Sequence, residues 1–142
     1  MPIEGVVADA NVLLSAAVGK GALRVFTDFH IVIHVAQFNA DEVADYLPLM
    51  ATKYHLQLEL VELQWRLLSL RVHPLSDYDA RLQRAIDDMK QRDPEDAHAL
   101  ALARSLDLPL WSNDKDFQNA KVECYSTARL LKLLTAQKKS RS

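Results

Sequence analysis

Short β-branched runs that stop at polar residues, separated by longer helical stretches, are what most constrain the fold of this chain. Residues 3–8 carry Val6 and Val7 and stop at Asp9, residues 31–35 are rich in Ile and Val, and residues 108–112 stop at Asn113 and Asp114. Runs of this length and composition suit buried strands rather than helices. Two further short strands are expected at residues 71–75 and 122–125. Helices are predicted at residues 12–18 and 22–29, which Gly19 and Gly21 separate, and at residues 56–70, 77–91 and 126–137, the last capped by Ser126. Asn39 reads as the N-cap of a helix carrying Asp41, Glu42 and Asp45 in its first turns, with Pro48 as a kink or restart. Asp93 reads as the cap of another, with Pro94 at its first position, Asp96 at its third, and an Ala- and Leu-rich run to Leu106.

Strands alternating with helices imply an α/β fold, a three-layer α/β/α sandwich around a central, mainly parallel sheet. A length of 142 residues suits a single domain, here residues 1–137, followed by a basic C-terminal tail at residues 138–142 that reads as a solvated end.

This architecture has a consequence for the acids. Crossover helices run roughly antiparallel to parallel strands, so strand C-termini and helix N-termini share one edge. Asp9 and Asp114 end strands, while Glu42 and Asp96 open helices, so all four should face the edge where open α/β sheets place their ligands. Two carboxylates ~4 Å apart repel by ~4 kcal/mol at an effective dielectric of 20. Several such pairs would rival the ~5–15 kcal/mol stability of a domain, so convergence calls for protons or a cation. For oxygen-only ligands the natural ions are Mg²⁺ or Mn²⁺.

Composition narrows the alternatives. Hydrophobic residues at 49% and charged residues at 25% describe a globular chain. Cys124 is the only cysteine, which excludes an intrachain disulfide and a paired-cysteine zinc or redox site and makes a cytoplasmic setting the expectation. The N-terminal stretch does not read as a signal peptide, and no apolar run reaches membrane-spanning length, so no membrane partner is expected. Neither a nucleophile elbow nor a phosphate-binding glycine loop is present, Gly19-Lys20-Gly21 being too short for one. The five histidines show no metal-ligand spacing. With a net charge of −2, any nucleic acid must be attracted locally, and Lys20, Arg24 and Lys115 are the candidates besides the tail.

Four segments, residues 7–13, 41–43, 92–97 and 111–117, resemble in order the acidic motifs of PIN domains, over nearly the whole chain. The resemblance implies a metal-dependent endoribonuclease that hydrolyses phosphodiester bonds in single-stranded RNA with Mg²⁺ or Mn²⁺, as in PIN nucleases and VapC-type toxins. It would be the toxin of a type II toxin–antitoxin pair if a partner antitoxin protein exists. By position, Asp9, Glu42, Asp96 and Asp114 match the family's acidic quartet, and Asn11 and Ser112 match supporting polar positions. Asp116 matches a further acid of many members, and Asp93 competes with Asp96 for the third motif. The rival expectation is a non-catalytic PIN-fold module that binds RNA or protein.

One more expectation comes from residues 56–70, whose leucines, Val61 and Trp65 cover more than one helical face. Such a helix is either fully buried or covered by a second subunit, and a homodimer is expected.

Overall fold

The computed structural model describes residues 2–89, 96–117 and 120–141. Five parallel strands form one sheet in the order β3-β2-β1-β4-β5: β1 (Gly5–Ala8), β2 (Val32–Ala36), β3 (Leu70–His73), β4 (Leu110–Trp111) and β5 (Cys124–Tyr125). The chain builds outward from β1 to β3, then returns to the far side of β1 for β4. The strand order therefore reverses between β1 and β4, the switch point at which such sheets leave a crevice beyond their carboxyl ends.

Alternation along the strands divides the core between two faces. Val6 and Ala8 of β1, Ile33 and Val35 of β2, and Trp111 of β4 join a cluster with α1 (Ala10–Ala17), α2 (Leu23–Asp28), α3 (Gln37–Lys53), α4 (Leu58–Leu67) and α7 (Thr127–Arg141). Val7, Ala36 and Leu110 face the opposite way, onto α5 (Asp79–Asp88) and α6 (Ala97–Leu106). The expected three-layer α/β/α sandwich is the observed one, with an all-parallel sheet.

Several boundaries differ from the sequence expectation, each for a local reason. Asn39 is not a cap: α3 starts at Gln37 directly after β2, and Asn39 is a buried residue of its first turn. The helix also continues through Pro48 to Lys53, so proline neither ends nor restarts it. The long helix expected over residues 56–70 shortens to α4, because Leu68 leaves the helix in extended geometry and Leu70 already pairs with Ile33. Residues 138–141 are not a separate tail but the end of α7, where Lys138, Lys139 and Arg141 complement the helix dipole. Lys138 Nζ donates to the carbonyl of Asp28 at 3.2 Å.

The apolar spread of α4 has a clear origin. Leu58, Val61, Trp65 and Leu68 pack on the core, while Leu60, Leu63 and Leu67 are 60%, 44% and 68% exposed. Trp65 thus belongs to the inner face, not to the outer stripe. Tyr46 and Leu49 of α3 are exposed as well.

Candidate metal centre

Asp9 stands directly after β1, at the switch point, and is almost wholly buried. It is the N-cap of α1: its Oδ1 accepts from the Val12 N–H at 2.9 Å, satisfying one of the helix's orphan donors. Its Oδ2 accepts from the Ser112 hydroxyl, contributed by the residue that follows β4 and itself buried. Ser112 Oγ in turn accepts the backbone N–H of Asp114 at 3.0 Å. One hydroxyl therefore ties the two acid-bearing loops together across 103 residues of sequence.

The electrostatics follow from this geometry. Burial pushes the Asp9 carboxyl above the ordinary aspartate range, and the charge of Asp114 pushes the same way. Hydrogen bonds from Ser112 and from the backbone N–H groups of Val12 and Asn11 oppose the rise. Asn11 supports the acid through its backbone, while its side chain is exposed.

Glu42 lies in the second turn of α3, half-buried, with Asn39 Nδ2 donating to its Oε1 at a long 3.5 Å. Among the described residues, Asn39 Oδ1 is buried without a hydrogen-bond partner. Asp96 immediately precedes α6, and its side chain makes no capping hydrogen bond to that helix, while the capping box expected with Asp93 lies outside the described residues. The first turns of α3 and α6 are joined by the stacking of Phe38 on His98, with centroids 3.9 Å apart. His98 Nδ1 also pairs with the Tyr78 hydroxyl at 2.7 Å.

Asp9, Ser112 and Asp114 are thus one linked group, while Glu42 and Asp96 sit on neighbouring helix starts. Among the described residues, no three His, Cys, Asp or Glu side chains converge as ligands of one ion. Two carboxylates supplemented by water nevertheless suit Mg²⁺, which commonly takes one or two carboxylates and keeps several waters. The donor chemistry fits: Asp9 and Asp114 repel, and Asn39 leaves a buried carbonyl oxygen unsatisfied beside Glu42. Asp93 and the side chain of Asp116 lie outside the described residues.

Beside Asp114 opens a cleft of about 530 Å³, walled by β5 and the first turn of α7. Lys115 and Arg129 line it, and both are exposed. Cys124 also lines it, with a thiol that burial and the charges of Asp9 and Asp114 push up to about 11, so it is no nucleophile near neutrality. The other proposed cations lie elsewhere. Lys20 sits over the Tyr54 ring at 4.1 Å, and Arg24 pairs with Asp28 at 3.0 Å while lining a groove with Lys138 and Lys139.

A second polar cluster escaped the sequence analysis. His34 Nδ1 pairs with His73 Nε2 at 2.8 Å, and His73 Nδ1 with Asp77 Oδ2 at 2.8 Å. The partners lie on opposite sides of the His73 ring, which makes a chain of hydrogen bonds rather than a chelate. Burial, then the charges of His73 and Arg71, push the His34 pKa down. Two histidines 39 residues apart meet only through strand register, which residue spacing does not reveal.

Comparison with known proteins agrees with this architecture. Of solved structures, PAE2754 from Pyrobaculum aerophilum has a TM-score of 0.71 at 18% identity, covering 94% of this chain and 90% of its own. FitAcB from Neisseria gonorrhoeae has a TM-score of 0.58 at 15% identity, covering 87% of this chain and 98% of its own. At these identities the likeness is one of fold. No curated protein sequence matches the chain. Among the described residues no helix is long and apolar enough to cross a membrane. The family model of the PIN domain matches residues 7–135, which reaches into every strand of the sheet and takes in Asp9, Glu42, Asp96 and Asp114; the chain belongs to the PIN-domain family, whose members are in general nucleases that use divalent metal.

Proposed function

We propose that this chain is a Mg²⁺- or Mn²⁺-dependent endoribonuclease that hydrolyses phosphodiester bonds in single-stranded RNA in the cytoplasm. The observation that carries the reading is the buried Asp9 carboxylate, fixed by Ser112 and set against the charge of Asp114 at the switch point of the sheet. Asp9 and Asp114 would hold the ion, with Asp96 as a further ligand. When bound, the metal supplies an acidified water and neutralises charge on the phosphoryl oxygens.

The protein's own part is positional. The Val12 N–H and the Ser112 hydroxyl each occupy one Asp9 oxygen, which fixes the plane of the carboxylate before substrate arrives. Glu42 holds a second ion or orients the attacking water. Asn11 and Ser112 support the acid loops, and Asp93 and Asp116 are secondary candidates by their sequence positions.

The test is cleavage of a labelled single-stranded RNA. Excess EDTA should abolish it and added Mg²⁺ or Mn²⁺ restore it, since the one cysteine, Cys124, stays a thiol. Cleavage undiminished in EDTA overturns the proposal. The open spacing of the acids favours a second reading, a non-catalytic PIN module that binds RNA or protein; binding without cleavage at any metal concentration would establish it.

By resemblance to VapC-type proteins, the proposal extends to the toxin of a type II toxin–antitoxin pair with an antitoxin as protein partner. It also includes a homodimer, supported by the outward stripe of Leu60, Leu63 and Leu67. Light scattering should give twice the chain mass, and Leu63→Glu with Leu67→Glu should give a folded monomer. A wild-type protein that stays monomeric at high concentration defeats the dimer.

A further inference from the structure

The cleft that Asp114 lines is shared with Lys115, Tyr125 and Arg129, which the metal reading does not use. Its position, charge and size suit a further role, one that rests on the nuclease reading above. Ser112 and Asn113, just past β4, line it on one side, and Cys124 and Tyr125 of β5 form a wall. Lys115 enters from the short turn after Asp114, and Arg129 from the first turn of α7, its guanidinium 5.8 Å from the Tyr125 ring centroid. Among the described residues neither cation forms an ion pair, whereas Arg24, Arg84 and Arg104 each do. Among the described residues the acid on the rim besides Asp114 is Glu123, whose Oε2 accepts from the Tyr125 hydroxyl at 2.6 Å.

In a chain of net charge −2, two exposed cations sharing a cleft with Asp114 mark where a polyanion can approach. The volume of about 530 Å³ falls within the ~300–1,000 Å³ of small-ligand sites, enough for one nucleotide. We propose that this cleft is a nucleotide subsite for single-stranded RNA: Arg129 and Lys115 hold the backbone phosphate next to the scissile one, and Tyr125 walls the nucleotide between them. Arg129 is the main determinant, because a guanidinium offers paired donors to phosphate oxygens and the ring beside it limits its freedom.

The subsite can be tested without turnover, by fluorescence anisotropy of a labelled single-stranded RNA oligonucleotide in EDTA across a salt series. Arg129→Gln should weaken binding about 10-fold and lower the slope of log affinity against log salt by about 0.7, one phosphate contact on a single strand. Lys115→Gln should lower the slope similarly, and Arg84→Gln, on α5 where Arg84 pairs with Asp88, should leave it unchanged. Thermal midpoints should match wild type, because both cations are exposed. A wild type that cleaves RNA with Mn²⁺ while Arg129→Gln keeps its affinity and slope overturns the subsite alone. A wild type that neither binds nor cleaves RNA overturns the nuclease reading and the subsite with it.

Discussion

Asp9→Asn should lose RNA cleavage by about 100-fold or more while the metal-free protein becomes no less stable. Loss of a group that merely orients a metal ligand typically costs 10–100-fold, so loss of a ligand should cost at least that. The stability half follows from the raised pKa. A carboxyl whose folded pKa lies above its unfolded value, about 3.9, favours folding fully only below that value. The contribution is lost as pH rises through the folded pKa, so at neutral pH the buried charge opposes folding. Asparagine removes that charge and can still cap α1, since its carbonyl oxygen can accept from Val12 N–H. The variant's thermal midpoint should therefore equal or exceed that of wild type at pH 7 in EDTA, and its advantage should shrink as pH falls towards 4. Added Mn²⁺ at 100 times its dissociation constant should stabilise wild type by about 2.7 kcal/mol and the variant far less. A metal-free variant that melts well below wild type, or one that cleaves normally, would make Asp9 a structural cap and nothing more.

What the sequence made visible was local or topological. The strands at residues 5–8 and 32–36 were legible because β-branched runs advertise buried strands, and a parallel sheet then puts Asp9 and Asp114 on one edge without any distance being known. What it hid depended on tertiary placement. The hydroxyl of Ser112 joins Asp9 to the Asp114 loop, and the motif position of Ser112 alone did not say that it would link the two. Asn39 carried a cap's residue type, yet β2 runs straight into α3 and turns it into a buried, half-satisfied amide. Arg129 had no motif to announce it; it matters only because α7 starts where β5 ends, beside Asp114. The leucines of residues 56–70 signalled apolar residues on more than one face, but only packing could show that Trp65 is on the inner one.

The largest effect on stability should come from Trp111→Ala. Trp111 is fully buried, pairs with Ala8 across the β1–β4 junction, and has its ring 5.8 Å from that of Phe26. Its indole N–H donates to Thr127 Oγ1 at 2.9 Å, which pins the end of β4 to the first turn of α7. Its carbonyl accepts the Asp9 N–H at 3.2 Å, and Ser112 is the next residue, so the side chain that fills the core also sets the acid loops. Truncating a buried tryptophan costs about 3–5 kcal/mol in lost transfer and cavity energy. Against a total of about 5–15 kcal/mol, and at roughly 2–4 °C per kcal/mol for a chain of this size, the midpoint should fall by about 10 °C. Trp111→Phe separates the two contributions: it keeps most of the ring's packing and gives up the bond to Thr127, so it should cost nearer 1–2 kcal/mol. Its metal-dependent cleavage should survive at temperatures where it is folded, because the backbone bond to Asp9 and the Ser112 hydroxyl are untouched. An alanine variant that loses less than about 1 kcal/mol by denaturant unfolding would mean that the β1–β4 junction is not the packed centre from which the acid loops are held.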